Sequence, residues 1–90
     1  MTTSFSFLGH SLNMNKHTKI DLEFGKILRK KRLQRKLTQE ALSADAGLSR
    51  AYISELEMGH KDPSIYTLFK LSYALKIKPS SLIDEVEHNL

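Results

Sequence analysis

The sequence predicts an all-α domain of five helices behind an irregular N-terminal arm, and three observations predict it. After residue 20, apolar residues recur at three- and four-residue spacing, the period of a helix with one buried face. No segment there shows the strict alternation of a strand. Between the periodic segments stand residues that start and stop helices: Thr38, Gly47, Ser49, Gly59, Ser64 and Pro79.

Residues 1–19 mix Ser, Thr, Asn and Gly with Phe5, Phe7 and Leu8 and show no sustained period, so they are expected to form an irregular or flexible arm. The domain proper is expected over residues 20–90. Its first helix is expected from Asp21 to about Arg35, with Phe24, Ile27, Leu28 and Leu33 as the apolar stripe. Lys36 then falls where a helix end calls for a left-handed residue, a place usually taken by Gly. Thr38 caps a second helix, and Glu40 adds a negative charge to its positive first turn. Gly47 ends it, because positive φ costs glycine nothing. Ser49 caps a third helix over residues 49–58, with Leu48 stapled onto Ile53, and Gly59 ends it. After a turn at Asp62-Pro63, Ser64 caps a fourth helix with the stripe Ile65, Leu68, Leu71 and Leu75, flanked by Phe69 and Ala74. Pro79 opens a fifth, short helix that carries Leu82, Ile83 and Val86.

The second and third helices, joined by a tight turn at Gly47, carry the chemistry. Leu42, Ala46, Leu48, Ile53 and Leu56 sit where two crossed helices pack together, and Ser43 falls where they cross closely. Arg50, Ala51, Ser54 and Glu55 remain on the other side. That is the plan of a helix-turn-helix, whose second helix enters the major groove of DNA. Charge agrees with it. The 90 residues carry 14 Lys+Arg against 10 Asp+Glu, a net charge of +4, and seven of the bases, Lys26, Arg29, Lys30, Lys31, Arg32, Arg35 and Lys36, fall in one short stretch. Bases beside such a motif suit phosphate contacts. The acidic residues Asp84, Glu85 and Glu87 gather at the other end.

Composition excludes other classes. A chain of this length makes one small core and leaves little room for an enclosed catalytic cleft, so no enzyme activity is expected. The absence of cysteine excludes disulfides and thiolate metal sites. His10, His17, His60 and His88 lack metal-ligand spacing, and no glycine-rich phosphate loop or nucleophile motif is found, so neither metal nor cofactor is expected. No apolar run approaches the roughly 20 residues of a membrane span, and the first residues lack the basic start and apolar centre of a signal peptide. A cytoplasmic protein without a membrane partner is the expectation.

The run LTQEALSADAGLSRAYISELEMGHKDPS, followed by LFKLSYALKIKPSSL, resembles the Cro/lambda-repressor-type (XRE) helix-turn-helix family, over roughly residues 24–83. It is most similar to single-domain regulators, among them the controller proteins of restriction–modification systems. Phage repressors and antitoxins share much of the pattern. The resemblance implies a compact five-helix lambda-repressor-like domain that binds operator DNA as a homodimer. It also implies an ion pair between Arg32 and Glu57 that joins the first helix to the third. The chain departs from the family pattern at Ser43, a hydroxyl where Ala is usual, at Lys36 and Lys78, which replace a Gly and a helix-capping residue, and at Met58, often a phosphate-binding residue.

Placed on this plan, Arg50 is the candidate for direct base reading, since a guanidinium can donate two hydrogen bonds to guanine O6 and N7; a phosphate contact is the other reading of the same side chain. Ala51 can meet a thymine methyl, and Ser54 and Glu55 can reach bases or backbone. Thr38, Gln39, Arg35, Lys36 and Lys61 are candidates for phosphate. Tyr52 either contacts the backbone or packs over its helix. Leu82, Ile83 and Val86 are the candidate dimer interface, because a short terminal helix is not expected to bury all three against its own domain. The function expected is therefore a sequence-specific, double-stranded-DNA-binding transcriptional regulator, a homodimer on a pseudo-palindromic operator. The alternative is an antitoxin-type module that also holds a protein partner.

Overall fold

Five helices, α1 (Leu12–Gln34), α2 (Gln39–Ala46), α3 (Arg50–Glu57), α4 (Ile65–Ala74) and α5 (Pro79–His88), make up residues 12–90, which are the residues described by this computed structural model, with side chains from residue 19 onward. No strand occurs among the described residues.

Helix α1 begins earlier than its apolar pattern does. Residues 12–19, expected in the irregular arm, are its first two turns or so. They contain neither Gly nor Pro, so nothing in them stops a helix from extending outward from residue 21. An apolar stripe marks where a helix is buried, not where it starts. Residues 1–11, with Phe5, Phe7 and Leu8, lie outside the described residues.

Each helix gives one face to a single core: Phe24, Ile27 and Leu28 from α1, Leu42 and Ala46 from α2, Ile53 and Leu56 from α3, Leu68 and Leu71 from α4 with Leu75 at its end, and Leu82 and Val86 from α5. Fully burying one such side chain is worth about 1.5–3 kcal/mol. The contacts close a ring in which α1 packs on α3, α3 on α2, α2 on α4, α4 on α5, and α5 back on α1. Two members of the expected stripes face outward instead. Leu33 and Ile65 are exposed, because the faces of α1 and α4 that meet the core are centred elsewhere: Arg32 takes the place next to Leu28, and Leu68, Leu71 and Leu75 carry α4.

Helix ends follow the sequence closely. The side chains of Thr38, Ser49 and Ser64 accept the N–H of the third residue onward, at 3.0, 3.1 and 3.0 Å. Lys78 makes no side-chain cap, and Pro79 stands at the start of α5. Helices α1 to α4 all close in one way. A left-handed residue, Lys36 (φ 58°), Gly47 (φ 69°), Gly59 (φ 78°) or Lys76 (φ 59°), follows the last turn. The N–H of the next residue then reaches back to the carbonyl five residues before it, as from Leu37 to Arg32 at 3.1 Å, Leu48 to Ser43 at 2.9 Å, His60 to Glu55 at 3.0 Å and Ile77 to Ser72 at 3.0 Å. Three of those next residues, Leu37, Leu48 and Ile77, pack against the core, so these three helix ends also fix where the chain re-enters it.

Candidate nucleic-acid interface

Helix α3 has two faces. Ile53 and Leu56 point into the core, and Tyr52 lays its half-buried ring against it, which is the packing alternative for that residue. Arg50 and Ala51 are exposed and Ser54 and Glu55 half-exposed, on the side that the 100° step of a helix sets opposite the core. The four candidate base-reading residues therefore share one outward face. Ser49 stands at its N-terminal end as the cap.

The angle of α3 is held by a buried polar network. Arg32 on α1 meets Glu57 with two parallel bonds, Nε to Oε2 at 2.6 Å and Nη2 to Oε1 at 3.0 Å. Its remaining Nη1 donates to the carbonyl of Leu37 at 2.9 Å. Gln39 on α2 donates to Glu57 Oε1 at 3.0 Å. The side chains of Arg32 and Glu57 are 9% and 4% exposed, so water contributes little and the charges depend on one another. The hydrogen bond to Glu57 raises the pKa of Arg32 above its ordinary value against the opposing effect of burial, with the charge of Glu57 adding to the rise; since arginine stays protonated far above neutrality, this stabilisation is fully present at neutral pH and is lost only in strong alkali. The network joins α1, the α1–α2 loop, α2 and α3.

Gln39 thus has a structural partner as well as its expected place at the start of α2. One of its amide hydrogens faces Glu57, and the second, with the carbonyl oxygen, remains to meet another group. Thr38 spends an oxygen lone pair on the N–H of Ala41 and keeps its hydroxyl hydrogen. The first-turn N–H groups of α2 have no intrahelical partner, the arrangement that favours an anion. Arg35 and Lys36 are exposed at the end of α1, on the loop that leads into this turn. Ser43 satisfies its hydroxyl by donating to the carbonyl of Glu40 at 2.7 Å.

The basic stretch does not act as one surface. Lys26, Arg29 and Lys30 are exposed on the side of α1 turned away from the core, and Lys26 pairs with Glu23 at 3.4 Å. Lys31 binds Glu85 of α5 at 2.5 Å, so one acid of the C-terminal group is held by a base of α1. Glu55 and Lys61, both expected to approach DNA, lie 3.9 Å apart. That exposed pair is worth no more than about 1 kcal/mol; it screens Glu55 from an approaching phosphate.

The expected dimer patch is only partly at the surface. Leu82 is fully buried in its own domain and Val86 nearly so, at 0% and 8% exposure, while Ile83 is 47% exposed. The helical period sets 82 and 86 on one face and 83 beside it, and α1 and α4 both pack against α5, so the three residues do not share one exposed patch. Ile83 and the rim of Val86 line an open apolar hollow of about 330 Å³ with Ile20, Phe24 and Leu68. The sequence also gave no sign of a neighbouring exposed arc on α4, formed by Ile65, Phe69, Tyr73 and Tyr66. In it Phe69 and Tyr73 meet edge to face at 5.9 Å, and Lys70 lies over the Tyr66 ring. Among the described residues no three His, Asp or Glu side chains gather as metal ligands, and no helix is long and apolar enough to cross a membrane.

A family model described as helix-turn-helix matches residues 28–82. The control protein C.BamHI of Bacillus amyloliquefaciens is 38% identical over 66 residues, 72% of this chain and 82% of that protein. An uncharacterized HTH-type transcriptional regulator of Sinorhizobium fredii, y4dJ, is 38% identical over 52 residues, 58% of this chain and 68% of its own length. The crystal structure of the restriction-modification controller protein C.AhdI from Aeromonas hydrophila superposes with a TM-score of 0.67 at 38% identity, over 68% of this chain and 92% of that one.

Proposed function

The chain belongs to the helix-turn-helix family of DNA-binding transcriptional regulators, and from this premise we propose that it binds a specific double-stranded operator as a homodimer, with α3 in the major groove of each half-site. The observation that carries the reading is the outward face of α3, where Arg50, Ala51, Ser54 and Glu55 stand together while the Arg32–Glu57–Gln39 network fixes the helix behind them. Arg50 donates to a guanine, Ala51 sets the distance to a neighbouring base, and Ser54 and Glu55 complete the readout. Thr38, Gln39, Arg35, Lys36 and Lys61 position the domain on phosphates and set the salt dependence of binding. Tyr52 supports α3 from the core side.

A single α3 reads only a few base pairs, and a twofold pair reads two half-sites about 34–36 Å apart. Ile83, with the exposed α4 residues Ile65 and Phe69, is the apolar surface on which a second copy docks. The similarity to control proteins supports a single-domain regulator whose occupancy follows its own concentration. Selection of bound duplexes from a random pool by the purified protein tests the reading. The expected product is an inverted repeat protected on two successive major-groove faces; a pool that stays unenriched overturns it. In the genome, a methyltransferase and a nuclease beside this gene would support the controller role, and a co-purifying small protein would instead support an antitoxin.

A further inference from the structure

Gly25 lies in the middle of α1, where glycine weakens a helix relative to alanine. It is buried, and the space around it explains its presence. A Cβ at this position would stand 2.5 Å from the carbonyl oxygen of Leu56, 2.6 Å from that of Glu57 and 2.9 Å from the Glu57 carbonyl carbon. All three are backbone atoms of the last turn of α3, so no side chain can swing aside to make room. The neighbouring residues on the same stripe of α1 touch the same end of α3. Leu22 packs on Gly59, where a Cβ would come within 2.7 Å of its Cδ2, and Arg32 grips Glu57 two turns further along.

We infer that Gly25 is a positioning residue for DNA reading: with Arg32 as a second anchor, it seats the backbone of α1 directly on the C-terminal turn of α3 and so sets the angle at which α3 presents Arg50 to Ser54. This rests on the DNA-binding reading above. A methyl group at residue 25 must push the two helices apart by roughly 0.8 Å to reach an ordinary carbon–oxygen contact. Helix α3 is about 12 Å long, so a shift at one end turns it by about 4°. Hydrogen bonds to base edges weaken steeply with misalignment, whereas attraction to phosphate changes slowly with distance. The seam therefore governs discrimination between sequences more than total affinity.

The test compares wild type, Gly25→Ala and Arg32→Lys on two probes, a duplex that the wild-type protein selects from a random pool and a scrambled duplex of the same composition, at one salt concentration and at a temperature where thermal melts show each protein folded. Leu71→Val, which trims the core at α4, controls for lost stability. Gly25→Ala is expected to weaken the selected duplex about tenfold, the order carried by one bidentate base contact, and the scrambled duplex about twofold or less, with the control keeping the wild-type ratio. A Gly25→Ala protein that keeps the wild-type ratio overturns the inference, as does one that melts higher than wild type, because alanine then gains helix propensity with no clash. If Gly25→Ala does not fold, Arg32→Lys decides: it keeps the charge but loses the paired bonds, and an unchanged ratio overturns the inference while a lowered one supports it. A wild type that selects no duplex overturns the DNA-binding reading and this inference with it.

Discussion

At the scale of single residues, the surface and the interior of α3 make different demands. Arg50 is exposed at the first position of α3, just behind the Ser49 cap, so its replacement is expected to leave the fold alone. Arg50→Ala is expected to cost about 1–3 kcal/mol of binding to a selected operator and much less on random DNA; titration of both duplexes at one salt concentration checks it, and equal losses would reassign Arg50 to a phosphate. Glu57 is the opposite case. Its side chain is 4% exposed and accepts bonds from Arg32 and Gln39, so removing it strands a buried guanidinium. Glu57→Ala is expected to destabilise the fold by about 3–5 kcal/mol. Adding Arg32→Leu is expected to restore part of that, since the stranded charge goes with it. Thermal melts of the two single variants and the double variant measure the coupling, and strictly additive losses would refute a direct pair.

At the scale of elements, the helix ends carry the information. Two of the four left-handed positions are lysines, Lys36 and Lys76, although such a conformation costs an L-residue about 1–2 kcal/mol. Lys36→Gly relieves that strain, and the greater freedom of glycine in the unfolded chain offsets part of the gain. A net rise of about 0.5 kcal/mol is expected, or a few degrees in Tm for a domain of this size. The same change is expected to weaken DNA binding and lower the salt slope by about 1, the signature of one lost phosphate contact. Melting and salt titration of one variant thus move in opposite directions; an unchanged salt slope would remove Lys36 from the interface. The turn between α2 and α3 uses Gly47 instead, and there the left-handed backbone costs no strain.

At the scale of the whole molecule, a closed ring of five helices leaves apolar surface on α4 and α5, where Ile65, Phe69, Tyr73 and Ile83 are exposed. Ile83 is the part of the α5 patch that remains outside once Leu82 and Val86 enter the core. In a twofold dimer a residue near the axis meets its own copy, so Ile83→Asp brings two like charges together beside Asp84 and Glu87. The dimer is expected to weaken by at least about tenfold, since such juxtaposition costs several kcal/mol, and operator affinity is expected to fall with it while helical content stays. Sedimentation and operator titration on this variant decide the point; a fully dimeric Ile83→Asp would remove Ile83 from the contact.

Local rules determined most of this chain. The caps at Thr38, Ser49 and Ser64, the left-handed stops at Lys36, Gly47 and Gly59 and the outward face of α3 all follow from residues within one or two turns of each other, where spacing alone fixes direction, and the family pattern supplied the Arg32–Glu57 pair; the left-handed Lys76 is not among the expected stops. The resemblance covers roughly residues 24–83 and implies five helices, and the structure has the five in that order. Tertiary structure decided what depends on residues far apart in sequence. It buried Leu82 and Val86 and exposed Ile65 and Leu33, because which part of an apolar stripe is covered depends on the neighbour that arrives. It gave Gln39 to Glu57 and Lys31 to Glu85. It revealed Gly25 as a point of backbone contact, since a missing side chain has meaning only when something occupies the space it would have filled.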